Sequence, residues 1–462
     1  MHFATPIFSL LALLAPQQGV LRLDESATLP TLGLGDADHA TVAVNSRGDV
    51  LVAFHTRRDD LSGEPFQVEA AFLRYLGQGL WELPSLGYNH FVLGDPTAQV
   101  LDPGGECCTK PDVVAVGENF VVVWPRTPPG QETTRLEAAF FEPGIVGEAV
   151  VHAEAPGIGW LLDGTVLNGS AGVMPDLAAV PGSSTKVHVA YAHADGDSGR
   201  FHDYDVRYMT ADFSSLPPLL EGPYALVEDL AFDDPSVGNG QRGGKVLPDL
   251  VVDDYGNLVL AYENFSSRGA QDEGWIDVCR FSVPGGPPLE LERESFHGAN
   301  SDDWTRRPML ATNHRDSDNS VSLLYQSASQ GSDADIDSRH YELSFPDSGS
   351  RGTVDVVDLQ YPNLPDENDR MPCALHGEGL RVGFATKLSG NQSWLLAWAP
   401  THDSSKTFRL TSKALLASRP AAAMLEFGTP GAPRTRLIPI SYEFPDPSAG
   451  GADRIGLQLR LL

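Results

Sequence analysis

At four places in the chain, basic residues stand one or two positions before the proline of a repeated sequence pattern. The strings are Arg306-Arg307-Pro308, Arg370-Met371-Pro372, Arg419-Pro420 and Lys110-Pro111. A guanidinium group can grip a carboxylate through two parallel hydrogen bonds. On a chain of net charge −30, such groups would form a local patch of positive charge. We predict that an acidic or hydroxyl-rich ligand is bound by Arg306, Arg370, Arg419 and Lys110. The alternative is that they pair with neighbouring acids such as Asp303 and Asp369.

Two loops carry aspartates at alternate positions. One contains Asp195 and Asp197, and the other contains Asp333, Asp335 and Asp337. Alternating carboxylates in a loop can supply oxygen ligands to Ca²⁺, although neither loop has the distal glutamate of an EF-hand. Ca²⁺ is therefore the one cofactor that these loops suggest. Solvated polar turns are the alternative reading of both loops.

The familiar catalytic strings are absent from the sequence. It contains no GxSxG, Walker A, HExxH or GxGxxG motif. Asp112, Asp176 and Asp249 each follow a proline in successive copies of one repeated pattern. A position that recurs in this way predicts a structural hydrogen bond to a turn rather than catalysis.

The four cysteines do not form a disulfide framework or a zinc motif. Cys279 and Cys373 lie in apolar strand patterns, which predicts buried thiols. Cys107 and Cys108 are adjacent, and a disulfide between them would be strained. A vicinal disulfide and two free thiols both remain open.

The elements that must position these residues come from an internal repeat. Seven copies of an apolar strand, a polar turn and a second apolar strand recur at a spacing of about 64 residues, as in PDVVAVGENFVVVW from Pro111. Each copy continues into a third strand, and the first six into a fourth. The pattern predicts an all-β, seven-bladed β-propeller with four-stranded antiparallel blades starting near residues 38, 110, 174, 247, 307, 371 and 419. Six blades plus a small sandwich, or two stacked all-β domains, are the alternatives.

The two ends of the chain complement each other. Residues 1–18 contain a nine-residue apolar run, which predicts a signal peptide although no Lys or Arg precedes it. A buried strand is the alternative. The seventh copy ends at its third strand, so residues 20–29 are predicted to close the ring by pairing with Arg454–Leu461. Residues 19–462 then form one domain, with no membrane span.

The blade pattern resembles that of secreted bacterial β-propellers, including the sialidase superfamily. Sialidases carry Arg-x-Pro at an inner-strand start, where the arginine binds substrate carboxylate. Arg306 and Arg370 match that spacing, whereas Arg419 is one residue off. No Asp-box string, Ser-x-Asp-x-Gly-x-x-Trp, occurs here. Sialidase propellers also have six blades, and no Tyr/Glu nucleophile pair can be assigned.

Three functions follow from these features. The leading prediction is a secreted, periplasmic or cell-surface propeller that binds a glycan or protein partner through its loop-rich face without catalysis. The second is a carbohydrate-active enzyme, a sialidase-like hydrolase or a lyase, which the resemblance implies. The third is a structural module of an extracellular or envelope assembly. The net charge argues against nucleic acid, and a monomer is expected.

Overall fold

The computed structural model describes most of the predicted strands and only some of the loops that connect them. The described residues are 19–32, 36–57, 66–97, 110–126, 134–145, 147–164, 174–194, 204–227, 241–268, 271–283, 285–296, 303–312, 320–329, 337–344, 368–377, 380–389, 392–398, 407–409, 417–427, 435–449 and 452–461. Within these ranges the chain forms antiparallel β-sheets and one 3-10 turn, Pro447–Ala449. This confirms the all-β prediction.

The strands, numbered β1 to β31 in chain order, fall into seven sheets within the described ranges. Sheet 1 contains Val20–Arg22 (β1), Ala37–Val44 (β3), Val50–Arg57 (β4), Phe66–Gly77 (β5), Leu80–Glu82 (β6) and His90–Thr97 (β7). Sheet 2 contains Asp112–Val116 (β8), Asn119–Arg126 (β9), Arg135–Glu142 (β10), Val150–His152 (β11) and Trp160–Asp163 (β12). Sheet 3 contains Asp176–Ala179 (β13), Lys186–Ala194 (β14), Tyr204–Asp212 (β15) and Leu219–Val227 (β16).

The remaining sheets follow in the same order along the chain. Sheet 4 contains Gln241–Val252 (β17), Leu258–Arg268 (β18), Gln271–Ser282 (β19) and Leu289–Phe296 (β20). Sheet 5 contains Asp303–Thr312 (β21), Ser320–Ser329 (β22) and Asp337–Ser344 (β23). Sheet 6 contains Asn368–Gly377 (β24), Leu380–Ser389 (β25), Gln392–Trp398 (β26) and Thr407–Arg409 (β27). Sheet 7 contains Ser26–Thr28 (β2), Ser418–Ala422 (β28), Leu425–Phe427 (β29), Thr435–Pro445 (β30) and Asp453–Leu461 (β31).

The first strand of each repeat copy lies innermost and contacts the next copy's first strand. The contacts run in the order β3, β8, β13, β17, β21, β24 and β28, and β28 also contacts β3. The prediction of four-stranded antiparallel sheets is confirmed in sheets 3, 4 and 6, whereas the described strands of the other sheets number six in sheet 1, five in sheets 2 and 7, and three in sheet 5. No helix in the described ranges has both the length and the apolar character needed to cross a membrane.

The segment from Val20 to Thr28 is divided between two sheets. Ser26–Thr28 pairs with β31, whereas Val20–Arg22 pairs with β6 of sheet 1 instead of the last strand. The chain turns between them because Asp24 adopts a left-handed backbone, with a φ of 64°, and Glu25 N donates to Arg22 O at 3.1 Å. Only the second half of the predicted segment therefore lies on the last strand.

The core lies between consecutive sheets. Second strands carry apolar residues on both faces because each is covered by a neighbouring sheet on either side, as in buried parallel sheets. At least one large aromatic side chain is fully buried on the second strand of each of the first five sheets; these include Phe54, Trp124, Tyr191, Tyr262 and Tyr325. The pattern of apolar residues that predicts the second strands thus also identifies the side chains of the packed interior.

The inner strands of five sheets contain a β-bulge, which lies at the repeat proline in sheets 4 to 7 and at Ala40 in sheet 1. The strand register shifts between Asp38 and Thr41 in sheet 1, and at the matching positions of sheets 4, 5, 6 and 7. Proline has no N–H for the ladder, so pairing breaks there. The preceding residue has positive φ at His39, Leu247, Arg307 and Arg419. Inner strands of sheets 4 to 6 therefore begin before the predicted starts, at Gln241, Asp303 and Asn368.

Adjacent sheets are also tied together at the turn between first and second strands. Asn45, which is fully buried, accepts from Asp49 N and Arg47 N and donates to Glu118 O of the next sheet. We expect Asn45→Ala to lower the free energy of unfolding by about 1–2 kcal/mol, because it leaves buried polar groups without a hydrogen-bond partner. Urea denaturation measures the loss. Asn119→Ala, which removes one exposed bond to Ser184 O, is the control and should cost less.

Candidate functional site

The four predicted basic residues occupy two different positions relative to the repeat proline. Arg306 and Arg370 lie two residues before the proline, and Arg419 and Lys110 lie one residue before it. The backbones of Arg306 and Arg370 pair with Gln326 and Thr386, but their side chains lie outside the described part of the structure. The structure therefore gives side-chain surroundings for Arg419 and Lys110 only.

Arg419 belongs to a polar cluster where sheet 7 meets sheet 1. We call this the Asp38 cluster, formed by Asp38, His39, His55, Arg419 and Glu443. Arg419 Nη1 lies 3.2 Å from Glu443 Oε2, and Glu443 Oε1 accepts from His39 N at 2.7 Å. His39 Nδ1 lies 3.0 Å from Asp38 Oδ1. The bulge in β3 thus places two successive polar side chains beside two strands of sheet 7.

Burial and the neighbouring charges act in opposite directions within the Asp38 cluster. Burial lowers the pKa of His55 to about 3, even though the charge of Asp38 opposes this. Burial alone would raise the pKa of Asp38, but His39, His55 and Arg419 together hold it below its usual value. Burial raises the pKa of Glu443 to about 7 despite Arg419 and His39. Burial therefore favours the neutral forms of His55 and Glu443, whereas the neighbouring basic groups favour the ionised form of Asp38.

The carboxylate of Glu443 marks a position that recurs in the fold. It follows the aromatic Tyr442 of its second strand, as Glu263 follows Tyr262 in sheet 4. Glu263 Oε2 accepts from Arg307 N of the next inner strand at 3.4 Å, in the same way that Glu443 accepts from His39 N. At two places in the fold, therefore, a carboxylate on one sheet accepts a hydrogen bond from the bulge of the next sheet.

The charge of Lys110 acts on three buried carboxyl groups of the inner strands, the carboxyl trio of Asp112, Asp176 and Asp249. Each of these accepts from a backbone N–H of the following sheet: Leu177 N at 2.9 Å, Leu250 N at 2.6 Å and Leu310 N at 2.7 Å. The predicted recurrent structural hydrogen bond exists, but its donor is the next inner strand rather than a turn. The trio joins sheets 2 to 5 side by side.

The trio holds its protons more tightly than free aspartates do. Burial raises the pKa of Asp112 to about 6 and that of Asp249 to about 7, against the lowering effect of Lys110. Burial, and then repulsion by Asp249 and Asp112, raises the pKa of Asp176 well above its usual value. Lys110 therefore serves three carboxyl groups as a shared counter-ion within the described residues.

Sequence reasoning found Arg419 and Lys110 but missed the histidines around Arg419. Asp38 and His39 occupy the two bulge positions that Arg306 and Arg307 occupy in sheet 5, but Ala40 replaces the proline in that copy. His55 follows the second-strand aromatic Phe54, the position that Glu443 holds in sheet 7. Aligning the copies on the aromatic residue as well as on the proline would have identified both.

Several predicted residues lie where the structure gives no side chain. Asp195, Asp197, Asp333, Asp335, Cys107 and Cys108 are outside the described residues, and only the backbone of Asp337 is described, in β23. The Ca²⁺ and vicinal-disulfide predictions therefore stay predictions. Cys279 is a buried free thiol, as its apolar strand pattern predicts.

Comparisons with known proteins give distant likenesses only. No family model matches the chain, and no curated protein resembles it. A Dyadobacter fermentans protein of unknown function is 12% identical, with a TM-score of 0.43 over 96% of this chain and 98% of its own. Trypanosoma rangeli sialidase with the inhibitor DANA is 11% identical, with a TM-score of 0.41 over 78% and 57%. The Fusarium graminearum GH93 α-L-arabinofuranosidase with arabinobiose is 12% identical, with a TM-score of 0.38 over 95% and 97%. At TM-scores below 0.5, these likenesses do not assign a function to this chain.

Proposed function

We propose that this chain is a closed, seven-bladed β-propeller that binds a carbohydrate at the end where its inner strands begin. The ring is supported by the order of contacts among the inner strands, with β28 against β3, and by the pairing of β2 with β31. We also propose a secreted, periplasmic or cell-surface monomer whose signal peptide is residues 1–18.

The recurrent bulge is the observation that carries the binding proposal. Bulges re-aim side chains and are frequent beside binding sites. Here they bring charged residues to the same end of successive inner strands: Asp38, His39, Arg306, Arg307, Arg370 and Arg419. A guanidinium group only donates hydrogen bonds and a carboxylate only accepts them. A ligand with many hydroxyl groups can satisfy both kinds of residue.

A glycan array with the purified chain tests the proposal directly. Arg419→Ala and Arg370→Ala should each weaken binding of the selected glycan by roughly 1.5–3 kcal/mol, the usual worth of a hydrogen bond to a charged group. Titration calorimetry measures the affinity, and thermal melting of the same samples measures stability.

Arg436→Ala is the matched control. Arg436 pairs with Glu426 in sheet 7 as Arg419 pairs with Glu443, but it lies at the other end of β30. Its loss should leave affinity unchanged. Equal weakening by Arg436→Ala, or a stability loss without any loss of binding in Arg419→Ala and Arg370→Ala, would contradict the proposal. Release of a cleaved sugar would instead support the hydrolase alternative.

A further inference from the structure

We infer that Asp38, His39 and His55 form a binding site for one divalent transition-metal ion of the zinc type. One ligand atom from each of the three side chains lies within 4.8 Å of the other two. Two imidazoles and one carboxylate are a donor set that such ions take in proteins. The site shares Asp38 and His39 with the bulge residues proposed to bind carbohydrate, but metal binding is measured without a glycan, so each proposal can fail while the other stands.

The three ligand atoms need to move only slightly closer together to coordinate one metal ion. Zn²⁺ is held at about 2.0–2.2 Å by imidazole nitrogen and carboxylate oxygen, which puts neighbouring ligand atoms about 3.5 Å apart. His39 Nδ1 and Asp38 Oδ1 already lie 3.0 Å apart. The imidazole centroids of His39 and His55 are 6.3 Å apart, so rotation of the partly exposed His39 ring can bring its nitrogen nearer to His55.

Residues on the surrounding strands that are not ligands themselves hold the ligand side chains in place. Glu443 fixes the backbone of His39 by accepting from its N–H, and Arg419 holds Glu443 in turn. Residues behind the ligands commonly fix the ligands in place in this way. His55 is fully buried on β4, whereas the side chains of His39 and Asp38 are 12% and 10% exposed, so a metal ion would enter past these two.

The local charge also favours a bound cation. Acidic groups outnumber basic ones around the three ligands: the carboxyl groups are those of Asp36, Asp38, Glu443 and Asp453, and the guanidinium groups are those of Arg419 and Arg454. Four acidic groups thus face two guanidinium groups, and a bound cation would offset part of that excess.

Metal titration of the full chain tests the inference. After treatment with a chelator and its removal, the chain is mixed in turn with Zn²⁺, Co²⁺, Mn²⁺ and Ca²⁺. Bound metal is counted by elemental analysis after gel filtration, and the visible absorption of bound Co²⁺ reports imidazole ligation. We expect one equivalent of Zn²⁺ or Co²⁺ and a rise in melting temperature, since binding to the native state alone stabilises it.

Variants assign the site to the three residues. His55→Gln and His39→Gln should weaken Co²⁺ binding at least 100-fold, and Asp38→Asn should do so by at least 10-fold. His152→Gln is the control, because His152 pairs with Glu142 away from this site. If His55→Gln does not fold, the other two variants decide. No retained metal, or unchanged binding in the His39 and Asp38 variants, would overturn the inference.

Discussion

Removal of residues 1–30 should abolish the cooperative unfolding of this protein, whereas removal of residues 1–18 should leave it intact. The shorter deletion stops before the first residue that the structure describes, so it spares every described strand. The longer one removes β1 and β2 together. The two deletions therefore differ only in the segment that joins sheet 1 to sheet 7.

The reason is the number of contacts that this short segment makes. Leu21 and Leu29 are each only 2% exposed and pack in one cluster with Leu437, Ile455, Leu457 and Leu459. Burial of two leucines is worth about 1.5–3 kcal/mol each. Loss of β2 also uncovers the backbone of β31, which now accepts from Leu29 N and Asp24 N. The leucines alone account for about 3–6 kcal/mol, which with the lost backbone hydrogen bonds is comparable to the total stability of about 5–15 kcal/mol of a typical domain.

Thermal and urea unfolding, followed by circular dichroism and by tryptophan fluorescence, would measure the effect. We expect one coincident transition for residues 19–462, and a broad or missing transition with aggregation for residues 31–462, because the freed edge strand can pair with other chains. An unchanged melting temperature for residues 31–462 would show that the N-terminal segment does not close the ring.

The sequence was sufficient for the strands because their signals are local. Alternating apolar residues and turn residues predicted β8 and β9, and the buried Val121 and Trp124 of β9 follow from the same pattern. The bulges were missed because the repeat proline was taken as the first residue of a strand. In sheets 4 to 7 that proline lies within an inner strand or at its break, where left-handed residues such as Arg307 and Arg419 continue the chain.

The candidate site was only half predictable for a different reason. Arg419 and Lys110 could be selected by residue type and spacing alone. Their partners could not, because His39 and Glu443 are 404 residues apart in the sequence and meet only when the last sheet lies against the first. The charge balance around Lys110 likewise depends on three strands that the chain visits in succession. Long-range contacts of this kind leave no trace in a single copy of the repeat.

Asp249→Asn should stabilise the protein at pH 8 by about 2–4 kcal/mol and should leave its stability at pH 4 almost unchanged. Burial raises the pKa of Asp249 to about 7 from a usual value of 3.8, a difference worth about 4 kcal/mol. The folded state thus holds this proton to higher pH than the unfolded state. Its contribution to stability is fully present below about pH 4 and is lost as the pH rises through 7. Asparagine stays neutral, and its side-chain oxygen can still accept from Leu310 N.

Urea denaturation of both proteins across pH 4–8 measures the difference, and Asp212→Asn is the control with the opposite sign. Burial would raise the pKa of Asp212, but hydrogen bonds from Ser214 and Thr185 and its pairing with Lys186 hold it low, so its ionised form stabilises the fold. Asp212→Asn should therefore destabilise the protein at pH 8. A loss of stability in Asp249→Asn at pH 8 would mean that attraction to Lys110 outweighs burial, and that the carboxyl trio is held ionised. Stabilisation would instead mean that Lys110 cannot neutralise three carboxyl groups at once, so the inner strands of sheets 2 to 5 separate more readily as the pH rises.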